Sequence, residues 1–292
     1  MSDRDPRIPI AHRSSFEGRL HVLVIKIGGG AAIGTEAYAN FAADIAALGE
    51  PVVVIHGGNA EFSALSTKLG LPPRMITNDK GRVTRYTDSE TIDAMLMTYA
   101  GKVNKRLVGA FQAAGVNAVG LSGLDGRIAV GRRKPVLRGL EDGKQKVLRD
   151  DHAGTIEAFD VSLIRLLLDN GYMPLLTPPA LAQDGTPINV DGDKLALGIA
   201  GELGAEALLF FSDTPGLLAD RFDESSLIRE IDAGNAASAL DAAAGRMKVK
   251  VESALKAIDA GVGKVVFSDG RVEQPVTKAL SGEGTTIRVS GS

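Results

Sequence analysis

The stretch "VLVIKIGGGAAIG", Val22 to Gly34, decides how the rest of the chain is read. Its apolar, largely β-branched residues make a strand of the kind buried on both faces, interrupted only by Lys26. Gly28, Gly29 and Gly30 follow, and residues 35–49 carry apolar side chains at helical spacing and end in glycine. A strand that ends in glycines and runs into a helix is a phosphate-binding device. Its backbone N–H groups point at the anion, and the missing side chains let the anion come close. The device recurs in "PVVVIHGG" (51–58), where Gly57 and Gly58 precede a helix through about Leu69. Two such ends at the carboxyl edge of one parallel sheet can hold one phosphate group between them. Lys26 points the same way, because a buried ammonium needs an anion nearby. The competing accounts are structural: two tight turns for the glycines and a salt bridge for the lysine.

Working outward, short apolar runs alternate with helical patterns. Residues 88–115 read as one or two long helices, 116–123 as a strand, 161–171 as a helix and 172–179 as a strand. After Asp193 the alternation restarts with a helix (193–203), a strand (207–213), a helix around 247–261, a strand (264–270) and a last strand in "GTTIRVS". This pattern predicts an α/β fold, a three-layer sandwich whose mostly parallel central sheet has helices on both faces. The restart places a boundary near residues 180–190. Residues 127–149 break the pattern and read as a hairpin around "EDGK". From Gly131 to Arg149 they carry seven Lys or Arg, Arg132, Arg133 and Lys134 among them, against two acids.

Composition narrows the chemistry. The 292 residues are 44% hydrophobic, enough for a large core or two lobes, and the net charge of -3 argues against a nucleic-acid partner. Without cysteine there is no disulfide, thiol nucleophile or thiolate metal site, and the four histidines lack the spacing of a helical zinc motif. Residues 1–19 are polar and lack the apolar core of a signal peptide, and no run approaches 18 apolar residues. A cytoplasmic protein with no membrane association is the expectation.

The common nucleotide motifs do not fit. Gly28-x-Gly30 is followed by Ile33 where a dinucleotide fingerprint has glycine or alanine, and no G-x-x-x-x-G-K-[ST] occurs. Three further segments carry polar residues at element ends. "INVDGD" (188–193) offers Asn189, Asp191 and Asp193 ahead of a helix, with Asp193 expected as the N-cap and the other acid free to orient a lysine or a metal. "FSDTPGLL" (211–218) ends a strand in polar residues and glycine. "GRMKVKV" (245–251) sets Lys248 and Lys250 near a helix start, where cations are unfavourable unless an anion compensates.

Taken in order, "VIKIGGG", "VVVIHGG", "GRVTRYTD", "VNKRLV", "GLSGLDG", "INVDGD", "FSDTPGLL", "GRMKVKV" and "SGEGTTI" resemble the amino acid kinase family, in its acetylglutamate kinase branch, over residues 21–289. Within that branch "HGGNAEF", "GLSGLDGRIAVGRRK" and "VVFSDGRVEQPVTKALSGEGT" are most similar to kinases acting on an amino-group carrier protein, the [LysW]-aminoadipate/[LysW]-glutamate type. The resemblance implies a two-lobed amino acid kinase fold: an extension (1–19), an N-terminal lobe for the acyl substrate and the phosphoryl clamp (20–187), and a C-terminal lobe for ATP (188–292). It implies that Lys26 and Lys250 contact the transferring phosphoryl group and that Asp193 positions them. Gly28, Gly29, Gly57 and Gly58 would supply N–H donors. Arg85 would hold the substrate's α-carboxylate, with Asn189 near its amino side. Ser212, Asp213, Gly216, Gly245 and Met247 fall where the nucleotide binds. Asp191 departs from the asparagine usual in enzymes for free substrates, which puts the amide-side contacts in question. A homodimer is the family expectation.

The implied reaction turns a carboxylate and ATP, with Mg2+ held mainly by the phosphates, into an acyl phosphate and ADP. A side-chain carboxyl with a pKa of about 4.3 is already ionised at neutral pH, so no general base is required. The obstacle is repulsion between anions, which positioning and charge neutralisation overcome. His56 is then expected to be structural. The basic hairpin suits docking of an acidic, LysW-like carrier protein; edge protection by solvated charges is the alternative. Rival functions are phosphorylation of free N-acetylglutamate, a nucleoside monophosphate or carbamate kinase, and a non-catalytic amino acid sensor.

Overall fold

Lys26 lies in β1 (Leu23–Ile27), all five residues of which are buried. The computed structural model describes residues 21–290 except 79, 80, 82, 221 and 236–245, and describes residues 246 and 247 in backbone only. β1 leads through the first glycines into α1 (Thr35–Leu48), which stops at Gly49 in the left-handed conformation. β2 (Val52–His56), again wholly buried, leads into α2 (Asn59–Lys68). β3 (Arg74–Thr77) and β4 (Val83–Tyr86) form a hairpin. The long helical stretch is α3 (Ser89–Leu96), a π-helical segment Met97–Val103, and α4 (Asn104–Ala113).

β5 (Ala118–Ser122) is followed by β6 (Ala129–Arg133), β7 (Val136–Glu141), β8 (Lys144–Arg149) and β9 (Gly154–Phe159). Then come α5 (Ser162–Asp169), β10 (Met173–Thr177), β11 (Ala180–Ala182) and β12 (Pro187–Ile188). α6 (Gly192–Leu203) and β13 (Ala207–Ser212) precede the short strands β14 (Leu217–Leu218), β15 (Leu227–Ile228) and β16 (Glu230–Asp232). α7 (Arg246–Asp259), β17 (Lys264–Asp269), α8 (Pro275–Leu280) and β18 (Thr285–Arg288) complete the described chain.

The main sheet has eight strands in the order β16-β18-β17-β13-β1-β2-β10-β5. Its strands run parallel except at β17/β18, where the pairing turns antiparallel. Two apolar clusters cover its faces. One joins Val24, Ile55, Phe210 and Phe267 to α6 and α7, and the other joins Ile25, Val54 and Leu209 to α1 and α4. The two-sided burial is why these strands read as continuous apolar runs, and the α/β sandwich follows from it.

The basic segment divides between two smaller sheets. β7 and β8 pair from Val136↔Arg149 to Glu141↔Lys144 around Asp142 (φ 49°) and Gly143 (φ 75°), the two-residue turn expected at "EDGK". They extend the β3/β4 hairpin into a sheet ordered β4-β3-β7-β8. β6 does not belong to that hairpin. Its alternation is satisfied by β9 and β11, so Arg132 and Arg133 sit on a different sheet from the hairpin cations.

Candidate active site

β1 and β2 lie side by side with Ile27 opposite His56, so the two glycine loops leave the sheet at the same height. They touch: a Cβ on Gly29 would stand 2.4 Å from Gly58 N and 2.8 Å from Gly57 C. Only glycine allows this approach. The four candidate glycines are not equivalent. Gly28 N–H donates to Phe211 O at 2.9 Å and Gly57 N–H to Ile27 O at 3.1 Å, which continues the sheet ladder. Among the described residues nothing accepts from the N–H groups of Gly29, Gly30 or Gly58. The expectation that Gly28 and Gly57 offer their amides is therefore corrected, and Gly30 joins the candidates.

Behind the second loop stands His56, fully buried. One ring nitrogen, Nδ1, donates to Gly57 O at 2.8 Å, and Nε2 accepts from Asn104 Nδ2 at 3.1 Å. Burial, assisted by the nearby charges of Lys26 and Lys105, lowers its pKa to about 4. The ring is a neutral brace for the loop. Asn104 also donates to Leu175 O at 3.0 Å. Its side chain enters beside Gly120, where any Cβ would stand 2.0 Å from Asn104 Oδ1.

Lys26 reaches the edge of this junction on the face covered by α6. Its Nζ stands 2.9 Å from Asp193 Oδ1. Gly192 makes room, since a Cβ there would stand 3.1 Å from Lys26 Cε. Asp193 is not the N-cap of α6. Asp191 is: its Oδ1 accepts from Asp193 N at 2.8 Å and Lys194 N at 3.4 Å, which frees the Asp193 carboxylate to turn toward the lysine. Lys26 is in register with Phe210, and Phe210 with Phe267, whose rings stack at 5.1 Å. Lys250, on α7, sets its Nζ 5.6 Å from the Phe267 ring, on the same face of the sheet as Lys26.

Arg85 and Asn189 approach from the other side. The Arg85 guanidinium lies 4.5 Å over the Phe62 ring, and its Nη1 is 3.4 Å from Asn59 Oδ1. Among the described residues its buried Nε has no hydrogen-bond partner and no carboxylate pairs with it. Asn189 Nδ2 donates to Thr87 Oγ1 at 3.1 Å, which ties the segment before α6 to the strand end that carries Arg85. Thr87 N is held in turn by the buried Asp151 carboxylate, at 3.1 Å.

The nucleotide candidates are less uniform. Ser212 ends β13 with its Oγ 3.1 Å from Thr214 Oγ1, and Asp213 is exposed just beyond. Gly216 is a packing position, not an open one: a Cβ there would stand 2.7 Å from both Leu227 Cδ1 and Thr285 Oγ1. Gly245 lies outside the described residues, and Met247 is described only as part of the backbone of α7.

Of the three candidate docking cations, two are engaged. Arg132 pairs with Glu157 at 3.1 Å. Arg133 pairs with Asp150 and donates from Nε to Asp151 O at 2.9 Å. Lys134, Arg138, Lys144, Lys146 and Arg149 are exposed and make no ion pair among the described residues. Glu141, one of the two hairpin acids, is taken by Arg74, which holds its carboxyl below the usual range. The pairing registers set Arg85, Met75, Val83, Leu140, Arg138, Val136, Val147 and Arg149 on one face of the β4-β3-β7-β8 sheet. Five of these are exposed apolar side chains, so Arg85 sits beside an apolar surface edged with cations.

The amino acid kinase family model matches residues 21–269. The [LysW]-aminoadipate kinases of Thermus thermophilus and Deinococcus radiodurans are each 48% identical, over 91% of this chain and 100% of the first relative, and over 92% of both for the second. An acetylglutamate kinase of Methanopyrus kandleri is 33% identical over 91% of this chain and 99% of its own. Among solved structures, an N-acetylglutamate synthase from Neisseria gonorrhoeae superposes with a TM-score of 0.72 at 27% identity, covering 93% of this chain, which spans only 60% of that one. A carbamate kinase from Giardia lamblia shares the fold alone, at a TM-score of 0.66 and 15% identity.

Proposed function

Because the chain belongs to the amino acid kinase family, and is a kinase whose relatives include the carrier-dependent aminoadipate kinases, we propose that it phosphorylates the side-chain carboxylate of aminoadipate or glutamate attached to an acidic amino-group carrier protein. The observation that carries this reading is the buried Lys26 ammonium, paired with Asp193 at 2.9 Å, beside two touching glycine loops whose amides at Gly29, Gly30 and Gly58 have no acceptor among the described residues. A carboxylate oxygen attacks the γ-phosphorus of ATP, the bond to the β-phosphate oxygen breaks, and ADP leaves. Lys26, Lys250 and the N–H groups of Gly29, Gly30 and Gly58 oppose the charge that gathers on the phosphoryl oxygens. Magnesium bound to the phosphates would neutralise more of it. Asp193 holds the lysine aimed at the phosphoryl site. Arg85 takes the α-carboxylate, residues 20–187 hold the acyl group, and residues 188–292, through Ser212 and Asp213, hold the nucleotide.

The carrier is supported by the relatives' names at 48% identity and by the hairpin cations next to Arg85, which make no ion pair among the described residues. The acetylglutamate kinases, at 33% and 36% identity, stand further away, and the free-substrate reading is not favoured. The test is an assay with MgATP in which hydroxylamine traps the acyl phosphate. Carrier-bound aminoadipate should yield hydroxamate and ADP in step. Equal or faster turnover of free N-acetylglutamate would overturn the assignment.

A further inference from the structure

We propose that Asn59 is a positioning residue that presets Arg85 for the substrate's α-carboxylate, with Tyr99 as its anchor. This rests on the reading of Arg85 given above and adds a residue to it. Asn59 Oδ1 accepts two hydrogen bonds, from Tyr99 Oη at 2.7 Å and from Arg85 Nη1 at 3.4 Å. A guanidinium has no acceptor, so the carboxamide is oriented with its oxygen toward Arg85 and its Nδ2 group away.

The anchor is rigid. Tyr99 is 6% exposed and lies in the π-helical segment Met97–Val103. Its ring meets the second glycine loop, since a Cβ on Gly58 would stand 3.4 Å from it. Burial pushes the phenol up, against the smaller opposing pull of the neighbouring Arg85 guanidinium, so it stays protonated and donates. Arg85 is thereby located by Phe62 beneath its plane and Asn59 at one end. Its Nε remains buried and, among the described residues, unpartnered. A guanidinium held on neutral partners keeps its charge for an incoming anion, whereas a structural carboxylate would neutralise it. Asn59 also opens α2 directly after Gly58, so the same residue couples the carboxylate site to the amides of the phosphoryl site.

The test combines variants with a change in the substrate. With carrier-bound aminoadipate, Asn59→Gly and Tyr99→Phe should raise KM about tenfold with a much smaller change in kcat, the pattern of lost binding rather than lost chemistry. Asn59→Asp should raise it further by giving Arg85 a competing carboxylate. With the α-carboxamide of the same substrate, Asn59→Gly and wild type should have the same kcat/KM, an equality that general damage to the fold would not produce. The KM for ATP should stay constant throughout. If Arg85→Ala raises KM while Asn59→Gly and Tyr99→Phe do not, the positioning role is wrong and the Arg85 reading stands. If Arg85→Ala itself leaves KM unchanged, both fall.

Discussion

Lys26 Nζ stands 2.9 Å from Asp193 Oδ1 with the lysine side chain 10% exposed and the acid 56% exposed. The asymmetry matters. The ammonium is sheltered and needs a counter-charge to remain in the sheet, while the carboxylate can be approached, and its grip loosened, from solvent.

Removing either partner should therefore act through the lysine. Lys26→Ala should lower kcat by about a thousandfold or more, and Asp193→Asn by about a hundredfold, in steady-state assays. The double variant should fall little below Lys26→Ala alone, because the acid acts on the reaction through the ammonium. Fully multiplicative losses, or near-normal rates for Lys26→Ala, would refute the assignment. A circular dichroism spectrum like that of the wild type controls for folding. Lys250→Ala should likewise lose orders of magnitude in turnover with the fold intact.

His56 makes a pH prediction. Its folded pKa, about 4, lies below the ordinary value of 6.5. As pH falls through 6.5 the unfolded chain takes up a proton that the folded ring refuses, so stability declines from about 6.5 down to about 4 and this contribution levels off below. The full loss is on the order of 3 kcal/mol. Urea unfolding at a series of pH values checks it, and His56→Gln should flatten the profile in that window. An unchanged profile would show that the ring is not held neutral.

The first glycine loop predicts opposite outcomes at adjacent positions. Gly29→Ala places a methyl 2.4 Å from Gly58 N, against backbone that cannot yield, and should abolish activity and lower the melting temperature. Gly30→Ala meets nothing within 4 Å, so its thermal stability should match the wild type. Equal stability of the two variants would mean the loops separate easily.

The docking surface is best tested away from Arg133, whose bonds to Asp150 and Asp151 O give it a structural role. Charge reversal at Lys134, Arg138, Lys144 and Lys146 should raise KM for the carrier-bound substrate about tenfold or more and reduce the salt dependence of its association rate. The KM for ATP should not change. No effect on either carrier parameter would return the hairpin cations to edge protection.

The residues that were legible in the chain are those whose meaning is local. Continuous apolar strands alternating with helical periods imply a parallel sheet covered on both sides, and the eight-stranded order bears this out. The hairpin turn at Asp142-Gly143 follows from the chemistry of two residues. Asn104, Tyr99, Asn59 and Gly192 were not legible as site residues. Asn59 and Asn104 stood inside quoted motifs, yet nothing next to them in the chain shows that one faces Arg85 and the other His56.

The sequence by itself determined the α/β architecture, two glycine-ended strands, and a lysine stranded in an apolar run. Periodicity and the absence of side chains are short-range properties, and each is written within a few residues. Tertiary structure alone decided which loop amides remain free among the described residues, because the acceptor for Gly28 N–H is Phe211 O, on β13, which lies far from Gly28 along the chain and beside it only in the sheet. It also decided that Asp191 caps α6 and Asp193 meets Lys26, since two acids two residues apart are told apart only by where the helix begins and what lies across from it. A hydrogen bond or ion pair is a property of two groups in space, and the chain names only one of them at a time.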